Sequence, residues 1–506
     1  MANRSITIPK AHLIMALCLP LAVLLGYMLA EPMDGGTFAV VTLVLVVLAM
    51  PLLMKWHHPM LILSWNCFVA PAFLPGQPQA WMLLAPTALL FAMLNRAVNP
   101  GQPFISVPSI TRPLLFLLVV LILTAWLTGG IGFRSLGAST YGSRAYFYMT
   151  MAVAGYFAFS SQRIPLEKAS LYVSVFFLMG LTYLVPHIIY LFGPPAFFLY
   201  QIFPFGGLVE QIRADPALGY GFYRINGLGP ASIAAFCFLL ARYGASGILD
   251  LRRFWRLLLL ATVGVGCVMS GFRSAVLICF FTFGTLFCFE GLHRTRTLPA
   301  VLAFCFLACA VILPFAERLP LVAQRTLSFL PLKLDPVAAS SATASTEWRL
   351  DMWKVAVKDV PKYFWKGKGY SIDPNQLFLA NIAERMHGDT SAEGTRMVDD
   401  YHNGPLSVIL PLGIWGVIGF GWFLVAGLKL LYRYARYGDP RLKRINSFLL
   451  AAFVTKIFFF VFIFGSLYTE LYYFTGLIGL SVSLNGAPQE QVQEEEAEPE
   501  PVEAFG

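Results

Sequence analysis

Apolar runs long enough to cross a hydrocarbon core of roughly 30 Å recur along this chain from about residue 11 to about residue 484. Lipid offers no partner for backbone N–H and C=O groups, so each such run has to satisfy its own hydrogen bonds, which a helix does. The pattern predicts an all-α polytopic membrane protein. Composition agrees, with 58% hydrophobic and 12% charged residues against a usual charged share of about a quarter, and excludes an ordinary soluble enzyme. The runs put spans near 11–30, 37–54, 60–75, 80–95, 113–130, 146–160, 170–193, 229–243, 256–270, 274–290, 298–315, 404–430, 446–464 and 468–484. The third, fourth and sixth are short enough to be re-entrant or merged, which gives about 12–14 transmembrane helices.

Orientation follows from Lys and Arg in the short loops. With the N-terminus inside, the inner segments carry Arg4, Lys10, Lys55, Arg96, Arg112, Arg163 and Lys168, then Arg242, Arg252, Arg253 and Arg256, then Arg294 and Arg296, and finally Arg433, Arg436, Arg441, Lys443 and Arg444. The alternation leaves both termini in the cytoplasm. Topology thus accounts for most of the formal net charge of +9, and no nucleic-acid partner is needed to explain it. All eight cysteines lie within or at the ends of apolar runs, where free Cys behaves as a small hydrophobe. Cys305 and Cys309 share a helix face, yet no His or carboxylate joins them in a metal-like pattern, so no metal or cofactor is expected.

Five units follow: N-terminal spans (1–200), core spans (201–316), a large outer loop (317–403), C-terminal spans (404–485) and a tail (486–506). The tail is rich in Pro and Glu with no apolar period, the composition of a disordered cytoplasmic segment. In the large loop, SASTEWRLDMWKVAVKDV reads as an amphipathic helix with Ser345 as N-cap and Trp348, Met352 and Val355 on one face. Lys354, Lys358, Lys362, Lys366 and Lys368 follow closely, either to hold anionic groups or as a solvated surface.

Four outer elements can converge on a site. Arg224 in YRINGLGP stands just ahead of a span, and Arg273 in MSGFRSAVL opens another after a tight turn. An Arg at the helix centre costs roughly 2.5 to 3.5 kcal/mol on insertion scales, so Arg273 calls for a counter-charge or for snorkelling. Arg349 follows Trp348 on the loop helix. His402 and Asn403 close the loop in HNGPLSVILPLGIWG, where nine residues separate Asn403 from Gly413. Two arginines at neighbouring outer helix ends suit a phosphate, through planar bidentate donors that stabilise a diphosphate as it leaves. A neutral His at the water-facing edge can take a proton from an acceptor hydroxyl; it can equally cap a helix or only position the acceptor. The chemistry that needs this set is group transfer from a lipid diphosphate.

Over roughly residues 220 to 430 the same motifs resemble the O-antigen ligase and polymerase superfamily of bacterial inner-membrane glycosyltransferases. RINGLGP resembles its Arg-x-x-Gly element before a span, and SGFRSA its Ser-Arg-small element. EWRLDMWKVAVKDV with PKYFWKGKGY is similar to the Arg, Trp, Pro and Gly-x-Gly pattern that starts the large periplasmic loop, and HN-x9-GIWG to the signature that closes it. The resemblance implies periplasmic transfer of an undecaprenyl-pyrophosphate-linked glycan, without metal or nucleotide sugar, onto lipid A core or another glycan. It implies that Arg224 and Arg273 bind the pyrophosphate, that His402 deprotonates or positions the acceptor, and that Arg349 and Asn403 contact substrate. Phe272 departs from the pattern, standing where a small or hydroxyl residue is common. A polymerase of the same superfamily is the alternative. A flippase is a third reading, kept alive by Lys456 near the middle of a span.

Overall fold

The computed structural model describes residues 54–72, 76–98, 104–131, 142–204, 225–331, 333–372 and 401–487, with isolated positions at 19, 20, 22, 23, 26, 48 and 74. The two expected spans at 11–30 and 37–54, Arg224, the acidic half of the large loop and the tail therefore lie outside the described residues. What is described is helical, with no β-strand, and its long apolar helices make an all-α, multi-pass membrane protein.

Helix α1 covers residues 54–65, and α2 Ala80–Val98, α3 Pro108–Thr128 and α4 Ser143–Phe159 follow. Next come α5 Leu166–Leu178 and α6 Val185–Phe192, joined by a 3-10 stretch at Met179–Leu184. Then come α7 Leu228–Ile248, α8 Trp255–Met269, α9 Arg273–Phe289 and α10 Thr297–Ile312. The large loop contains α11 Leu321–Thr326 and α12 Pro336–Tyr363, and the chain returns through α13 Gly404–Tyr437, α14 Lys443–Phe462 and α15 Leu467–Asn485. Nearly every expected span in the described residues has its helix. The exception is 60–75: helix stops at Trp65, and residues 67–71 run without regular structure. Ala70 N and Ala72 N bond to the carbonyls of Ile202 and Gln201 at 2.9 and 2.7 Å. Prolines 71, 75 and 78 remove backbone donors there, which ends the helix while leaving the apolar count intact.

The core lies along α4 and α15, whose small residues let large rings press onto the backbone. Gly476 faces the indole of Trp65, and Gly479 faces the ring of Phe159. Trp65, Phe159 and Phe474 are fully buried. Lys456 is not a lone charge at mid-span. Its Nζ pairs at 2.6 Å with Glu470 in the first turn of α15, and each charge supplies what the other needs in a poorly solvated place.

Helix α13 holds the decisive irregularity. Its 34 residues break at Gly413, which has φ 65° and ψ −164°, a conformation that costs a β-carbon-bearing residue dearly. The break frees backbone groups that lipid cannot satisfy, and the GKGY segment after α12 satisfies them. Lys368 N donates to Leu410 O at 2.8 Å, Gly369 N to Pro411 O at 2.9 Å, and Ile414 N donates to Phe364 O at 2.7 Å. Gly367 and Gly369 also have positive φ, 76° and 75°, and a β-carbon on Gly367 would strike Pro411 O. The two glycine-bearing motifs of the large loop are thus halves of one joint.

Helix α12 starts nine residues before the expected Ser345. Asp335 is the N-cap, accepting from Val337 N at 2.8 Å, and Pro336 takes the first turn, where its missing N–H costs nothing. The Ala-rich segment that follows has high helix propensity, so Ser345 lies inside the helix. The buried stripe is Ala338, Ala342, Met352 and Ala356, whereas Val355 is exposed. This face rests on the start of α13 with Tyr401, Leu406 and Leu410.

Candidate functional site

Three helices begin around one cavity of about 640 Å³: α7 with Asn226, Gly229 and Pro230, α9 with Gly271 to Ala275, and α13 just after His402. Each N-terminus presents about half a positive charge from unpaired amides. Arg273, Arg325 and Arg349 line the same space, and among the described residues no Asp or Glu does. The rest of the lining is largely apolar, with Ile233, Leu277, Phe329, Ile463 and Phe464. Cationic and apolar groups around one space match an amphiphile with an anionic head.

The turn before α9 is built by Ser270 and Gly271. Ser270 Oγ donates to Cys267 O at 2.7 Å and accepts from Phe272 N at 3.3 Å. Gly271 takes φ 77°, which the turn requires and a side chain resists. Phe272, the departure from the family pattern, lines the cavity and packs against Gly229. Arg273 then reaches across to α12, its Nη2 donating to Ala342 O at 3.4 Å and to Thr346 Oγ1 at 3.3 Å. The expected counter-charge is a carbonyl and a hydroxyl, and neither neutralises the guanidinium.

His402 has φ 48°, rare for a residue with a side chain and worth a kcal/mol or more of strain in general. Its surroundings hold it there. Trp353 Nε1 donates to Tyr401 O at 2.7 Å on one side, and Asn403 Oδ1 accepts from Leu406 N at 3.0 Å on the other, capping α13. The ring sits against Trp348 and Phe464, with centroids at 5.4 and 5.0 Å. The Arg349 guanidinium also lies over Phe464, 5.9 Å from its centre.

The cavity therefore brings Arg273, Arg349 and His402 together. Asn403 stands next to it as the cap, and Arg224 falls outside the described residues. None of the five loop lysines lines it. Lys354 pairs with Asp351 at 2.8 Å with both side chains exposed, which raises the lysine's pKa, and Lys362 lies over Tyr363; these belong to a solvated surface. Sequence reading missed Arg325. Its only signal is one arginine in the otherwise weakly polar stretch LPLVAQRTLSFLPL, and nothing local says which way it points.

A larger cavity, about 920 Å³, opens at the other end of the bundle among Arg163, Arg433, Asp439 and Arg441. Its arginines stand at the C-terminal ends of α13 and α15, where cations balance the helix dipole. Arg441 is already paired with Asp439 at 2.7 Å and holds that carboxyl below the usual range. Size does not make it the better anion site.

Residues 257–421 match the family model described as O-antigen ligase. The segment runs from α8 into α13 and contains Arg273, Arg325, Arg349 and His402, so the resemblance to the O-antigen ligase and polymerase superfamily holds over the part of the chain that forms most of the cavity. That family implies a glycan ligase or polymerase. No curated protein matches the chain.

Proposed function

We propose that this member of the O-antigen ligase and polymerase kind moves a glycan from an undecaprenyl-pyrophosphate carrier to an acceptor hydroxyl, at the periplasmic face of a bacterial inner membrane. The carrying observation is the cavity in which, among the described residues, three arginines and His402 meet three helix N-termini and no carboxylate. Such a space favours the anion it faces and grows more favourable as charge develops on it.

In the reaction the acceptor oxygen attacks the anomeric carbon of the donor sugar. The bond from that carbon to the diphosphate oxygen breaks, and its electron pair stays on the diphosphate. Arg273 and the amides opening α9 receive that charge, and Arg224, in the segment leading into α7, adds to them. His402 takes the acceptor proton or holds the acceptor in line, with its ring fixed by Trp348 and Phe464. The arginines fill the electrostatic role that a metal has in many other transferases, and no nucleotide sugar takes part. The apolar part of the lining suits the polyprenyl chain. The acceptor, lipid A core in a ligase or a growing glycan in a polymerase, enters from the water side near His402.

Analysis of the carrier-linked glycans left in a deletion strain tests this. Long glycans stranded on the carrier mean a ligase, and single repeats mean a polymerase. Intermediates retained on the cytoplasmic side would sink the transferase reading in favour of a flippase.

A further inference from the structure

We infer that Arg325 is the specificity-determining group by which the cavity tells a diphosphate head from a monophosphate one, an inference that rests on the donor chemistry proposed above. The side chain is 8% exposed and lines the cavity. Its sole hydrogen bond among the described residues runs from Nη1 to Gly271 O at 3.4 Å, and its Nε is buried without a partner. A guanidinium has five N–H donors and does not lose its charge in a protein. Burying one is costly unless a counter-charge is close, and among the described residues no carboxylate lines this space.

Arg325 is also held in place rather than free to snorkel. Its neighbour Gln324 ties α11 down on both flanks: Nε2 donates to Glu317 O at 3.1 Å and Leu319 O at 2.8 Å, and Oε1 accepts from Asp335 N at 2.7 Å. A rigid, unsatisfied cation facing a cavity is arranged for an anion that arrives from outside.

Its position says which anion. Gly271, the acceptor of Arg325, sits two residues before Arg273, so both side chains line one cavity beside the turn that opens α9. Arg273 spends its Nη2 on α12 and, with the α9 amides, suffices for one phosphoryl group. A second phosphoryl group gives Arg325 the counter-charge it lacks. A monophosphate leaves it uncompensated and loses that share of binding.

The test uses the full chain in phosphatidylcholine nanodiscs, free of anionic lipid, with farnesyl diphosphate and farnesyl monophosphate as probes and dissociation constants from calorimetry. Wild type prefers the diphosphate by about tenfold or more, the scale of one charge-assisted contact. Arg325→Gln lowers the preference to about twofold and leaves monophosphate affinity within about threefold, because only the second phosphoryl group loses its partner. Arg325→Lys, which keeps the charge without the fork, falls between them and serves if the Gln variant melts early. An unchanged preference in Arg325→Gln, or equal weakening for both probes, overturns the assignment and leaves the donor reading standing. If wild type binds neither farnesyl compound, the donor reading itself fails and Arg325 falls with it.

Discussion

The two ends of the bundle treat their polar groups in opposite ways. At the end away from His402 the cluster around Asn446 completes itself, while Arg256 Nε and Ser481 Oγ are buried there without a partner. Asn446 and Asn485 exchange amide hydrogen bonds at 2.8 and 2.9 Å, Asn446 also donates to Tyr434 O at 3.1 Å, and Tyr434 Oη donates to Gly486 O at 2.6 Å. Nearby, His58 Nε2 lies 3.1 Å from Phe159 O and 3.2 Å from Ser483 Oγ. At the His402 end, among the described residues, Arg325 keeps an unbonded Nε, Arg273 is met by neutral acceptors, and the cavity walls carry cations without carboxylates. Closed networks hold helices together. Open ones, which raise the energy of the empty protein, are worth keeping where a ligand closes them.

The contrast can be broken most sharply at His402. His402→Ala is expected to lower transfer by about 10² to 10⁴, the range for loss of a general base, while membrane levels stay normal; near-wild-type surface glycan in that variant would remove His402 from the chemistry. Arg273→Ala comes next, with an expected loss of about 10² to 10³ in turnover, as for removal of a transition-state anion donor, and Arg224→Ala should behave alike. Quantified transfer in membranes with matched protein content decides both cases.

The closed end should respond in the other currency. Asn446→Ala removes three hydrogen bonds, to Asn485 and Tyr434 O, and is expected to cost about 1 to 3 kcal/mol of stability, read as a lower melting temperature in detergent, with transfer per folded molecule unchanged. If its activity falls while its melting point holds, the two ends are not separate in role. The smallest effect belongs to Asn403. Loss of an N-cap costs about 1 kcal/mol, and Asn403→Ser, which still caps, should restore both stability and transfer. A Ser variant that is stable yet inactive would make Asn403 a substrate contact as well.

Legibility from sequence varied with how local each signal is. Helix positions came from apolar runs of 15 to 34 residues, and those in α7 to α10 and α13 to α15 agree closely with the expected spans. The span at 60–75 did not survive, since prolines act on backbone pairing and not on hydropathy. The loop helix was found but begun late, because an Ala/Ser-rich turn has helix propensity without an apolar face. Arg273, Arg349 and His402 could be named from their motifs. Arg325 could not, because its meaning depends on α11 folding back onto the turn at Gly271.

The sequence by itself determined that this is an all-helical, multi-pass membrane protein. Hydropathy suffices there, since lipid allows few alternatives. Only the tertiary structure decided that the GKGY loop fills the break at Gly413, that Lys456 is matched by Glu470, and that three helix N-termini and three arginines share one cavity. Those facts are sums over residues far apart in the chain. They arise when α12 docks on α13 and α11 reaches the start of α9, and no local pattern encodes them.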